Sequence, residues 1–292
     1  MTMDNPFRPP DAVLGTSPSF GAPGTLIAEG RTLPAAHGWQ WVRGSVSTIA
    51  RAPLQWVGIA LLFVGLTIAI SLVPIVSLFS SVMMPILIGG LMLGCRADEL
   101  GRQIAVRDLF GACQAPHLQP LAMVGVLYLA ASILLIMCIG IVAAIGIGVA
   151  AVVGGAEAIE SQPLLLAAGI AIAVLLVVGV SVALSMTIWF APALVVLHGL
   201  QPMDAMRTSL RGALRNMLPF LVYGLAVLGI ALATACVAGG FMMIAGMALG
   251  SSEFGIPAAA IGAAVTGALV MVLMIPTYWA AMYVSYRDVF IG

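Results

Sequence analysis

Long stretches without a charged residue are the feature that most limits how this chain can fold. Asp, Glu, Lys and Arg are absent from 52–95, 118–156, 161–203, 216–252 and 254–286. A helix needs about 20 apolar residues to cross the hydrocarbon core of a bilayer. Charged residues make up 8% of the 292 residues and apolar residues 62%, whereas a soluble protein carries ~25% charged residues. The sequence therefore predicts an all-α integral membrane protein and excludes soluble, disordered and fibrous proteins.

These stretches divide into six predicted transmembrane helices. The first stretch is too long for one crossing and is interrupted by Pro74 and a serine-rich segment, so it predicts a tight hairpin of two helices. Each of the other four stretches predicts one helix, with tilt or extension beyond the membrane absorbing the extra length. The predicted spans are 54–73, 79–96, 119–153, 163–198, 217–249 and 257–285.

The first 36 residues differ from the rest in composition. They contain six prolines and no continuous apolar run, so they do not resemble a secretory signal peptide. No part of this segment could bury enough apolar surface to fold alone. The sequence predicts a disordered cytoplasmic tail over 1–36 and a six-helix transmembrane domain over 37–292.

The arginines predict the orientation of the chain. All eleven basic residues are Arg, as is typical of a GC-rich bacterial genome, and they lie before the first span, after the second, fourth and sixth spans, and in no other connection. Arginine near span ends marks the cytoplasmic side. We therefore expect a multi-pass protein of the bacterial inner membrane with both termini in the cytoplasm.

The chain repeats one unit three times, namely an amphipathic segment, a span, a short turn and a span that contains a proline. In each unit an acid follows the proline by twelve or thirteen residues. The prolines are Pro85, Pro192 and Pro276, and the acids are Asp98, Asp204 and Asp288. Because a proline inside a helix removes a hydrogen bond and kinks the helix, the pattern predicts three kinked hairpins about a pseudo-threefold axis. The alternative is that proline is simply common in membrane helices.

The segment from Gln201 to Pro219 is the most informative one for function. Arg207, Arg211 and Arg215 are spaced to lie on one helical face. The other face is predicted to carry Met203, Met206, Leu210, Leu214 and Met217. This pattern is typical of an interfacial helix with its apolar face in the acyl boundary, and headgroup-level arginines attract anionic lipid by roughly 1 kcal/mol per charge. The alternative is a topology signal without a ligand.

Recognisable catalytic chemistry is missing from the sequence. No acid or base lies between the ends of the spans, although such groups mark proton relays and ion pathways. His37, His117 and His198 are too far apart in sequence to suggest a metal site, and no nucleophile or phosphate-loop motif is present. The sequence therefore predicts no catalytic residue, metal, cofactor or nucleic-acid partner. Serines and threonines within the spans either bond helix to helix or line a polar path.

Four motifs carry a family resemblance: the segment from Pro85 to Leu91, Asp108 to Phe110, Arg215 to Phe220, and Tyr286 to Phe290. With these, residues 37–290 resemble a proteobacterial family of six-span inner-membrane proteins without an assigned activity. The chain is more distantly similar to the membrane domain attached to some glycerophosphoryl diester phosphodiesterases. The resemblance implies a fold and no active site, since no soluble stretch here could hold a catalytic barrel.

Two functions follow as expectations. The first is a non-enzymatic membrane scaffold or lipid-interacting module, which the arginine row and the uncharged spans favour. The alternative is a transporter or permease subunit for an apolar or zwitterionic solute, because internal repeats and proline-kinked helices are common in transporters. An enzyme acting on lipids would need a nucleophile or metal site that the sequence does not show.

Overall fold

A computed structural model describes residues 25–72, 79–153, 163–248 and 255–292. In these ranges the chain forms α-helices, one short 3-10 helix and a single isolated β-bridge, between Leu26 and Ile291. The helices are α1 (His37–Arg51), α2 (Pro53–Ser71), α3 (Ser80–Glu99), the 3-10 helix (Val106–Phe110), α4 (Leu118–Val153), α5 (Pro163–Trp189), α6 (Ala191–His198), α7 (Pro202–Arg215), α8 (Met217–Ala248) and α9 (Gly255–Phe290). The predicted all-α fold is confirmed.

Six helical stretches in the described ranges are long and apolar enough to cross a membrane. They are Pro53–Ser71, Ser80–Glu99, Leu118–Val142, Ala171–His198, Met217–Gly240 and Thr266–Phe290. Large aliphatic side chains on α4, α5 and α8 remain exposed along these stretches, including Leu134, Leu175 and Leu228. Contiguous apolar surface of this extent needs a covering, and for helices of this length a bilayer provides it.

The packed core lies at one end of the bundle. We call this end of the bundle the charged end, because the described Arg, Asp and Glu residues lie there. Much of the core comes from the segments that follow the three prolines, namely 86–95, Ala193 to Val196, and Trp279 to Tyr286. Trp41, Phe190 and Phe290 are also fully buried, and the rings of Phe190 and Phe290 meet edge to face at 5.1 Å. Aromatic contacts of this kind add to the free energy gained from burial.

The three amphipathic segments pack in a cyclic order. Helix α1 packs against α8 and α9 of the third unit, the 3-10 helix packs against α2 and α3 of the first unit, and α7 packs against α4 and α5 of the second unit. Each segment thus covers the hairpin of the unit before it, and the first segment covers that of the last. A pseudo-threefold arrangement of three repeats predicts this order.

The predicted fourth span, 163–198, is present as an apolar helical stretch over Ala171–His198, but the structure divides it into two helices at Phe190. Ser209 of α7 inserts into the helical ladder at this point: its hydroxyl accepts a hydrogen bond from the Phe190 N–H at 2.9 Å and donates one to the Met186 carbonyl at 2.7 Å. Pro192 also has no N–H with which to continue the ladder. A polar side chain in the ladder and a nearby proline are both known causes of helix breaks.

Replacing Ser209 by alanine should destabilise the protein. Both polar groups that Ser209 satisfies lie in a buried site, and a buried group left without a partner costs about 1–3 kcal/mol. We expect a lower thermal unfolding midpoint in detergent. Ser47→Ala is the matched control, since the Ser47 hydroxyl is exposed and bonds only within its own helix. Equal midpoints for the two variants would contradict the bridging role of Ser209.

The predicted tail also has a different boundary. Residues 1–24 lie outside the described residues, but 25–33 form an N-terminal strap across the end of α9. The N–H groups of Ile27 and Arg31 donate to the carbonyls of Phe290 and Val289, each at 2.8 Å. The last carbonyls of a helix have no partner within that helix, so an extended strand can bind there. The prediction of disorder is therefore wrong for the strap.

Candidate functional site

Helix α7 carries the arginine row, and its buried face anchors it to the protein. Residues 205, 206, 209, 212 and 213 form this face, and apart from Met206 they are small. Small residues allow close packing between helices, and Gly212 lies against the ring of Phe290. The predicted placement of Met206 in the acyl boundary is wrong, because Met206 is buried within the protein.

The opposite face of α7 combines basic and apolar side chains. Arg207 and Arg211 are exposed, and Met203 and Leu214 beside them are 45% and 51% exposed. Arg207 and Leu214 follow Met203 by four and eleven residues, so all three lie on the same side of the helix. Met203 and Leu214 therefore flank Arg207. The exposed apolar edge continues into Leu218 at the start of α8. This combination of side chains is the one that a helix at a membrane surface requires.

The three arginines of the row differ in their partners. Arg215 binds the strap: its guanidinium donates to the Glu29 carboxylate and to the Glu29 carbonyl, each at 2.9 Å. This hydrogen bond lowers the pKa of Glu29 below its usual value, and the charge of Arg211 contributes further in the same direction. Arg207 has no partner among the described residues. The structure thus presents Arg207 and Arg211 outward, whereas Arg215 is already engaged.

The other described acids at the charged end are mostly paired with bases. Asp98 binds Arg51 at 2.8 Å and Asp108 binds Arg102 at 3.0 Å. Asp288 accepts hydrogen bonds from the Trp41 indole N–H and from the Nδ1 side of His37, both at 2.8 Å. Two of the three acids that the repeat singled out, Asp98 and Asp288, therefore tie α1 to α3 and to α9. Asp204, the third, lies in the first turn of α7, where a negative charge favours the helix.

Glu99 is the centre of a second network of hydrogen bonds and ion pairs, which the sequence did not predict. Its carboxylate accepts a hydrogen bond from the Tyr283 hydroxyl at 2.6 Å and pairs with Arg96 at 3.1 Å and with Arg287. Arg96 and Arg287 each follow the proline of their helix by eleven residues. This equivalent spacing was the available signal that α3 and α9 bring the two arginines to one point.

An open cleft of about 630 Å³ lies at the charged end between α1, α3 and α9. Its lining includes Arg51, Arg96 and Arg287 as well as Asp98 and Glu99. These arginines already have carboxylate partners, so the cleft presents both signs of charge. A cavity of this kind suits a zwitterion better than a simple anion.

The predicted kink prolines occupy two different positions. Pro85 and Pro276 are buried inside the continuous helices α3 and α9. Pro192 instead stands at the second residue of α6, directly after the break at Phe190. The break next to Pro192 is thus observed, and kinks at Pro85 and Pro276 stay predictions.

Five serine and threonine hydroxyls of the spans bond to their own helices. The donors Thr67, Ser132, Ser185, Thr187 and Thr234 each reach a backbone carbonyl three or four residues earlier. Of the two roles that the sequence left open, these five hydroxyls do not donate a bond between helices, and a polar path stays a prediction. Within the described ranges, no three His, Cys, Asp or Glu residues are grouped so that they could hold a metal ion.

A search of curated proteins finds one similar chain, a probable inner membrane protein of Burkholderia thailandensis. The two are 26% identical over 265 residues, which cover 88% of this chain and 92% of the relative. No protein-family model and no solved structure matches the chain. The match agrees with the predicted membrane architecture, and the resemblance to the membrane domain of glycerophosphoryl diester phosphodiesterases stays a prediction.

Proposed function

We propose that this protein is a non-enzymatic, multi-pass inner-membrane protein that binds anionic phospholipid through α7. The observation that carries the proposal is the exposed Arg207, which has no counter-ion among the described residues and is flanked by exposed Met203 and Leu214. Placement in a membrane is supported by the six apolar helices and by the similarity to a probable inner membrane protein.

The chemistry of the arginine side chain favours a phosphate group as the ligand. A guanidinium presents several N–H donors in a planar fork that matches phosphate oxygens. Each headgroup-level arginine contributes about 1 kcal/mol of attraction to an anionic leaflet. Arg207 and Arg211 together would then favour an anionic over a zwitterionic lipid by ~2 kcal/mol, or about 30-fold.

The proposed orientation places the charged end and both termini in the cytoplasm. Arg43, Arg107 and Arg207 lie in the three amphipathic segments and are exposed, and the positive-inside rule assigns such residues to the cytoplasmic side. Anionic lipids of that leaflet would then lie at the level of α7.

Thermal unfolding in detergent with added lipid tests this proposal. A lipid that binds only the folded state raises the unfolding midpoint, so phosphatidylglycerol should stabilise the wild-type protein more than phosphatidylcholine does. The double variant R207Q/R211Q should show a smaller difference. The matched control is R102Q/R215Q, which removes the same charge from two arginines that already bind carboxylates. The proposal is wrong if R207Q/R211Q responds to phosphatidylglycerol as the wild type does.

The alternative function, a permease subunit for an apolar or zwitterionic solute, has one observation in its favour, namely the cleft with charges of both signs. The hydroxyls of Thr67 and Thr234 donate within their own helices and so lend it no direct support. Uptake of a zwitterionic solute by vesicles that contain the purified protein, abolished by Arg287→Gln but not by R207Q/R211Q, would support the permease.

A further inference from the structure

Helices α1 and α7 present corresponding residues at corresponding positions. Their buried faces match in register, with a fully buried serine at the centre of each. The corresponding buried pairs are Trp41 and Ala205, Val42 and Met206, Ser45 and Ser209, and Thr48 and Gly212. Both helices also pack on the hairpin of the preceding unit. Their exposed faces can therefore be compared residue by residue.

The same register aligns both arginines of α1 with two of the three arginines of α7. Arg51 at the end of α1 corresponds to Arg215 at the end of α7, and each pairs with a carboxylate, of Asp98 and Glu29 respectively. Arg43 corresponds to Arg207, and neither has a partner among the described residues. Each helix thus has one arginine that holds the fold together; Arg43 on α1, and Arg207 and Arg211 on α7, are available to a ligand.

Apolar side chains surround Arg43 as they surround Arg207. Trp39, one turn before Arg43, is 48% exposed and corresponds to the exposed Met203; Val46, about one turn after Arg43, is 55% exposed, whereas its counterpart Leu210 on α7 is partly buried. The second residue of α2 is then the exposed Leu54, as the second residue of α8 is the exposed Leu218. The exposed face of α1 therefore leads directly onto a span surface that faces lipid.

We infer that Trp39, Arg43 and Val46 form a second binding position for an anionic phospholipid, equivalent to the one proposed on α7. An indole ring prefers the headgroup level of a bilayer, where it would contact the lipid beside the phosphate that Arg43 binds. Val46 and Leu54 would contact the upper part of the acyl chains. The inference rests on the proposed function, from which it takes anionic phospholipid as the ligand. The residues that would bind this lipid are those of α1.

Native mass spectrometry of protein released from phosphatidylcholine nanodiscs that contain phosphatidylglycerol tests this inference. The wild type should retain two phosphatidylglycerol molecules, R43Q and R207Q/R211Q one each, and the triple variant none. Arg43→Lys keeps the charge and should retain the lipid, whereas Arg102→Gln removes a charge from a paired arginine and should change nothing. Because Arg43 is exposed and without a partner in the described chain, R43Q should unfold at the wild-type temperature.

The outcomes separate the two proposals. If R43Q retains as much phosphatidylglycerol as the wild type while R207Q/R211Q loses one molecule, the α1 position is wrong and the proposed function stands. If R43Q loses one molecule while R207Q/R211Q loses none, the α7 site is wrong and the α1 position stands. If excess inorganic phosphate removes the lipid bound at Arg43, the position binds phosphate without the acyl chains, which overturns the inference of a lipid site.

Discussion

Replacing Gly38 by alanine is expected to lower the free energy of unfolding by about 3 kcal/mol. Gly38 lies at the start of α1 where this helix crosses α8, and an added Cβ would lie 2.1 Å from the Pro219 carbonyl oxygen and 2.8 Å from the Tyr223 nitrogen. Both are backbone atoms, so no side chain can rotate away. Overpacking of this kind costs typically 1–3 kcal/mol or more. If the added Cβ pushes α1 away from α8, the contact of Trp41 with Phe220, at 5.1 Å between ring centres, would also be lost.

Gly224→Ala is the matched control for this prediction. Gly224 lies on the exposed side of α8, and no atom would lie within 4 Å of its added Cβ. Alanine is favoured over glycine inside a helix by up to about 1 kcal/mol, so this variant should unfold at or above the wild-type temperature in detergent. If G38A and G224A gave the same midpoint, the close approach of α1 to α8 would be refuted.

Replacing Glu99 by glutamine is expected to cost about 3 kcal/mol. The Glu99 side chain is 17% exposed and accepts from Tyr283, Arg96 and Arg287. Removing one charge of a largely buried ion-pair network leaves the others uncompensated, which destabilises a protein by about 3–5 kcal/mol in fully buried cases. We expect α9 to loosen from α3, with a large fall in the unfolding midpoint.

Glu29→Gln provides the comparison for E99Q. Glu29 also pairs with an arginine, at 2.9 Å, but it is exposed to solvent. Exposed pairs contribute little to stability, so E29Q should unfold close to the wild-type temperature. Equal effects of E29Q and E99Q would show that Glu99 is not the centre of a buried network, and the packing of α3 on α9 would need another explanation.

The sequence predicts the spans well because one physical quantity determines them. A charge-free apolar stretch of sufficient length can be stable as a membrane helix, and its ends lie at charged residues such as Arg51, Arg96 and Arg287. The break at Phe190 could not be predicted in the same way. It depends on Ser209, a residue of another helix, whose hydroxyl replaces the bond that Phe190 would make within α5.

The sequence did not predict the ordered strap for a similar reason. Its composition resembles that of a disordered tail, and its hydrogen bonds go to the end of α9, more than 250 residues away in the chain. The same long-range contact explains why Arg207 and Arg215, equivalent members of a row in the sequence, differ in the structure. Glu29 of the strap binds Arg215 and leaves Arg207 without a partner in the described chain. The sequence could therefore predict the row of three arginines, but not which of them is available to a ligand.

A solid-state NMR measurement of contacts between arginine and phosphate tests the central claim most directly. The protein would carry ¹⁵N-labelled guanidinium groups in bilayers that contain phosphatidylglycerol, and transfer from these nitrogens to lipid ³¹P would be measured. We expect transfer in the wild type and in R102Q/R215Q, and clearly reduced transfer in R207Q/R211Q, where only Arg43 would still contact lipid phosphate. Equal transfer in R207Q/R211Q and the wild type would contradict the assignment of α7 as a binding site for anionic lipid.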